Sequence, residues 1–149
     1  KNQHDNFIPL QQELDALSAY MAIQQIRFGQ RLQLNWQLPA KVPALNFPPL
    51  LLQPLAENAI QYSVAELSGD VLLHIDVRVQ DNKLQITLAQ EGATAEGGWP
   101  DTQRPTNLLN LAERLQLLFG DKAHLLLSQS ANGFYSQISL PTEALDGSA

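Results

Sequence analysis

Leu10, Leu14, Leu17 and Met21 recur at the three- and four-residue spacing of one helix face. The pattern predicts a helix over residues 9–28. Pro9 suits its first turn, where a missing N–H costs nothing, and Gly29 is a natural stop. Residues 33–38 alternate polar and apolar positions, as a half-buried strand does. A proline-punctuated connector, PAKVPALNFPP, then leads to a second helix. Pro54 would break a helix interior, so this helix is expected to begin near Leu51 or Leu52. Its apolar stripe is Leu52, Leu55, Ala56, Ala59 and Ile60. Glu57, Asn58, Gln61 and Tyr62 are expected on the opposite side.

Further along, the period changes to two. Val71, Leu73, Ile75, Val77 and Val79 alternate with Leu72, His74, Asp76 and Arg78. Residues 71–80 and 83–89 therefore read as a hairpin turning at QDNK. Residues 91–106, EGATAEGGWPDTQRPT, are the longest loop, of the kind that carries function or motion in compact domains. A third helix is predicted over 108–119, closed by Gly120, and two last strands near 123–129 and 134–140 turn at SANG. Helices interleaved with hairpins predict an α+β fold: a two-layer sandwich with three helices on one face of a mostly antiparallel sheet.

Composition narrows the function classes. The 149 residues suffice for one domain with a hydrophobic core, and 44% apolar against 16% charged residues is a globular balance. No apolar run approaches the roughly 20 residues of a membrane-spanning helix. With no signal peptide and no initial Met, the chain is expected to be a piece of a longer parent. The absence of cysteine excludes disulfides, thiol catalysis and thiolate metal sites. A net charge of −6 with nine Lys and Arg argues against nucleic-acid partners, yet leaves room for one anion at a helix N-terminus. His4, His74 and His124 form no metal-binding cluster in sequence, and Trp36 and Trp99 form no aromatic ladder.

Three segments in order, IPLQQELDALSAYMAIQQIRFGQRL, FPPLLLQPLAENAI and NLAERLQLLFGDKA, carry a resemblance. They resemble the catalytic ATP-binding domain of LytS/YehU-type sensor histidine kinases, which has the Bergerat (GHKL) fold. The resemblance runs from about Phe7 to Pro141. It implies a division into a linker remnant (1–8), an ATPase-like domain (9–141) and a tail (142–149). It implies Mg-ATP as cofactor and no tightly bound structural metal. It also implies ATP or ADP, a response regulator and a histidine-bearing helical hairpin as partners, with homodimerisation in the full-length parent. That parent would be membrane-anchored with this domain in the cytoplasm.

By themselves Glu57 and Asn58 read as the solvated face of an amphipathic helix. The resemblance gives them roles: Asn58 as an oxygen ligand to Mg²⁺, and Glu57 as the catalytic carboxylate. Gln61 stands where the family usually has a cation facing the phosphates. That exchange removes a charge-assisted contact, roughly twice as strong as a neutral one. In QEGAT, Gln90 occupies the position of the adenine-binding Asp, Gly92 keeps the first glycine and Thr94 replaces the second. In PTNLLN, Leu108 and Asn110 are kept while Pro105 and Asn107 replace glycines. Asn107, Leu108 and Asn110 would open the third helix beside the phosphates. Glu113, Arg114, Phe119, Gly120 and Asp121 read as scaffold. The expected function is that of the ATP-binding domain of a two-component sensor kinase, with nucleotide binding weakened or lost. The alternatives are a pseudokinase-like interaction module that no longer binds ATP, or another GHKL-fold ATPase.

Overall fold

The central hairpin builds the fold. In the computed structural model, which describes residues 6–61, 69–92, 106–130 and 133–145, β4 (Val71–Gln80) and β5 (Lys83–Gly92) pair antiparallel, with Ile75 opposite Leu88. Asp81 and Asn82 join them at φ 55° and 62°, the left-handed pair that a two-residue turn between twisted strands requires. Asn and Asp tolerate that region better than other side chains.

The described residues place these strands in a five-stranded sheet. Its order is β2 (Leu32–Gln37), β4, β5, β7 (Gly133–Pro141), β6 (His124–Ser130). β2 runs parallel to β4, and every other pair is antiparallel. The α+β expectation holds, with one parallel edge. One sheet face is apolar: Val71, Leu73, Ile75, Val77, Leu84, Ile86, Leu88, Ile138 and Leu140 are buried at alternate positions. Against it pack α1 (Leu10–Phe28), α2 (Gln53–Ile60) and α3 (Thr106–Phe119), through Leu14, Leu17, Met21, Leu55, Ile60, Leu111 and Leu115.

Several local features depart from the sequence expectations. β5 runs three residues past the strand predicted over 83–89, so Glu91 and Gly92 belong to the sheet and not to the loop predicted over 91–106, and α3 starts at Thr106, two residues early. Ile8–Pro9 (β1) pairs with Asn46–Phe47 (β3) as a small antiparallel ribbon, so Pro9 precedes α1 and does not sit in its first turn. Helix α2 starts at Gln53, one or two residues late, with Pro54 in its first turn where the missing N–H is tolerated. The segment Thr142–Leu145, set in the tail by sequence, forms a short 3₁₀ turn. Thr142 donates its N–H to the Asn82 carbonyl at 2.9 Å, and Leu145 is buried.

Candidate functional site

Helix α2 is short, and α1, α3 and β5 all pack against it. A helix covered from several sides buries a wider arc than a surface helix. That corrects the expectation for Asn58: it does not lie on a solvated face but is 2% exposed, in a helix that also buries Leu55, Ala56, Ala59 and Ile60. Glu57 and Gln61 are exposed, as expected. Among the described residues the Asn58 Oδ1 atom is buried without a hydrogen-bond partner. Buried polar atoms are nearly always paired, so an orphaned acceptor calls for an explanation: strain, a bound water or ion, or a ligand.

A second orphan lies on β5. Gln90 is 3% exposed, and its amide nitrogen donates to the Gly92 carbonyl at 2.6 Å. This bond fixes which end of the amide is free: Oε1 is buried and, among the described residues, has no partner. The next residue, Glu91, points to the other sheet face. There it accepts a 2.7 Å hydrogen bond from His74 Nε2, while Asn35 donates to His74 Nδ1 at 3.0 Å. His74 thus has partners that the sequence did not suggest. Gly92 has φ +92°, and a Cβ there would run into the Asp70 carbonyl oxygen. The close approach of its own backbone already requires glycine at this position.

The third helix contributes less to the described site. Leu108 is buried, Asn110 is exposed, and Asn107 lies in the first turn with its side chain outside the described residues. Tyr62, Thr94, Trp99, Pro105 and His4 lie outside them altogether. The structure therefore brings Asn58 and Gln90 to packed elements, α2 and β5, and leaves Glu57, Gln61 and Asn110 at the surface. Among the described residues no three His, Asp or Glu side chains cluster as metal ligands. Among the described residues a third buried acceptor, Gln24 Oε1 on α1, also lacks a partner; the nucleotide expected from the sequence fits the other two. Asn58 Oδ1 is a hard oxygen of the kind Mg²⁺ takes alongside substrate phosphates. Gln90 Oε1 is an acceptor of the kind an exocyclic amino group needs.

Glu13, Gln24 and Ser136 are buried polar residues that the sequence reading did not single out. Glu13 of α1 is 3% exposed, and its carboxylate accepts backbone N–H bonds from Leu50, Leu51 and Leu52, each at 3.0 Å. The signal was present: Glu13 falls inside the Leu10–Leu14–Leu17 stripe, where a carboxylate needs partners. Tyr20, two turns further along α1, has its pKa raised, first by burial and next by the negative charge of Glu57, against an opposing effect of Arg27.

Comparison with known proteins decides what this arrangement belongs to. No protein-family model matches the chain. Sensor histidine kinase YesM of Bacillus subtilis is 31% identical over 139 residues, covering 91% of this chain and 24% of YesM. Sensor protein LytS of Oceanobacillus iheyensis is 29% identical over 149 residues, covering 92% of this chain and 26% of LytS. The chain belongs to the LytS/YesM-type sensor histidine kinases. It spans about a quarter of the length of these relatives.

Within that family its fold is that of the catalytic domain. The histidine kinase domain of the blue-light activated kinase EL346 from Erythrobacter litoralis superposes with a TM-score of 0.67 at 19% identity, covering 91% of this chain and 62% of that one. The catalytic domain of histidine kinase ThkA superposes with a TM-score of 0.66 at 11% identity, covering 92% and 96%. Among the described residues no helix is long and apolar enough to cross a membrane.

Proposed function

We propose that this chain is the ATP-binding catalytic unit of a two-component sensor histidine kinase, and that it binds Mg-ATP weakly. The observation that carries the reading is that, of the three buried acceptors without a partner among the described residues, two are Asn58 Oδ1 on α2 and Gln90 Oε1 on β5. Asn58 is assigned to the metal and Gln90 to the adenine amino group. Gly92 shapes the strand end beside Gln90. Glu57, exposed one residue before Asn58, is free to assist transfer to an incoming histidine. Asn107, Leu108 and Asn110 open α3, whose N-terminus suits phosphate. Bound Mg²⁺ would neutralise phosphate charge, the main requirement of phosphoryl transfer.

Weakness follows from two uncharged side chains. Gln61 offers no cation to the phosphates. Gln90 is a neutral acceptor where the family has a carboxylate. The partners implied by this reading are a histidine-bearing hairpin, a response regulator and a second copy in the parent. The parent would be membrane-anchored, with this domain facing the cytoplasm.

Calorimetric titration with ATP, with Mg²⁺ and then with EDTA, tests the reading. The expected result is saturable binding that tightens with Mg²⁺. A second reading, a kinase fold kept as an interaction module, is favoured by Pro105, which cannot donate an N–H to a phosphate. Titrations without saturable heat at millimolar nucleotide would select that module and sink the first reading.

A further inference from the structure

We propose that Glu13 is a positioning residue for the metal corner of the nucleotide site: its buried carboxylate locks α2, and with it Asn58, to helix α1. The inference rests on the function proposed above. Leu50 adopts φ +60°, a left-handed conformation that is uncommon for a leucine. The N–H groups of residues 50, 51 and 52 then converge on Glu13, with all three distances at 3.0 Å. Successive backbone N–H groups around a left-handed residue form such anion-holding concavities.

The clamp continues directly into α2. Leu52 donates to Glu13, and its own carbonyl accepts the Ala56 N–H at 3.1 Å. Asn58 follows Leu52 by six residues, a rise of about 9 Å along one helix. α1 meets α2 again at Tyr20, which shares a crevice with Glu13, Leu50 and Gln53. An apolar side chain at position 13 would fill the same space without fixing direction. Three charge-assisted hydrogen bonds fix both distance and direction. A shift of α1 would therefore carry Asn58 with it.

Glu13→Gln tests this. The exchange keeps size and puts an NH₂ group against backbone donors. With nucleotide titrated by calorimetry, the Mg²⁺-dependent gain in affinity should fall about 10- to 100-fold, the range for partners that orient a metal ligand. ADP affinity in EDTA, which reads Gln90 and the adenine pocket, should stay unchanged. A role in fold stability alone would lower both affinities together, or neither; either pattern overturns the proposal. Side-chain amide NMR signals supply an independent readout. Glu13→Gln should move the Asn58 NH₂ resonances and speed exchange of the Leu51 and Leu52 amides. Unmoved Asn58 resonances overturn the proposal. If the wild-type protein binds no nucleotide, the functional reading fails, and the NMR result alone decides whether Glu13 positions Asn58. Should Glu13→Gln not fold, the same two measurements on Glu13→Asp decide. That variant keeps the charge but withdraws it by one methylene, and it should change Mg²⁺ dependence in the same direction.

Discussion

Asn58 shows what a single side chain costs and supplies. A buried amide oxygen without a partner lowers stability by about 1–3 kcal/mol relative to a satisfied one. Among the described residues no partner offsets that cost at Asn58. Asn58→Leu, similar in length and free of polar atoms, should raise urea-unfolding stability by about 1 kcal/mol. The same exchange should abolish the Mg²⁺-dependent part of ATP binding. A variant that loses stability would show that the Asn58 oxygen is satisfied inside the protein, and the metal assignment would fall with it. The identity of this residue was legible in the sequence, but its surroundings were not. Helical periodicity places Asn58 opposite one stripe, yet it cannot count how many neighbours press on a helix. Gln90 was legible in the same limited sense. The strand predicted over 83–89 stops short of it, whereas β5 runs on to Gly92 and turns Gln90 inward and Glu91 outward. Only the bond to the Gly92 carbonyl reveals which end of its amide is free.

At the scale of elements, the segments made by local patterns were readable and those made by distant partners were not. The β4–β5 hairpin follows from alternation and from an Asp-Asn turn, both written within a few residues. The β1–β3 ribbon and the Glu13 clamp join residues more than thirty positions apart, and no local period encodes them. The clamp also explains why α2 begins at Gln53. The N–H groups just before it are held by Glu13, in a turn that needs Leu50 left-handed. A leucine there costs roughly 1–2 kcal/mol against the right-handed alternative. Leu50 is 63% exposed, so little packing is lost on truncating it. Glycine gives back part of the gain through its freer unfolded chain. Leu50→Gly should therefore stabilise the protein by about 0.5–1 kcal/mol in urea unfolding. It should leave the amides of residues 51 and 52 protected from exchange. Destabilisation by this variant would mean that the Leu50 side chain, and not its backbone, holds the turn.

At the scale of the whole molecule, the sandwich was legible because each layer writes its own period. The strands repeat every two residues and the helices at three and four, and together they define one apolar face and its cover. The parallel pairing of β2 with β4 was not legible, since register between distant strands is set by packing. The end of the domain is a matter of the same packing. Sequence places 142–149 in a tail. Thr142 donates both its N–H and its hydroxyl to the Asn82 carbonyl, at 2.9 and 3.2 Å, so the segment leans on the β4–β5 turn at the far end of the sheet. Leu145 is 1% exposed and belongs to the hydrophobic core. Burying a leucine contributes about 1.5–3 kcal/mol, and deleting one from a core adds the cost of the cavity. If the segment is part of the cooperative unit, Leu145→Ala should lower the free energy of unfolding by about 2–4 kcal/mol. The loss should appear as a lower midpoint at unchanged slope in urea, because the surface exposed on unfolding hardly changes. A loss below about 0.5 kcal/mol, the level of an ordinary surface substitution, would place Leu145 outside the folding unit and return the boundary to Pro141.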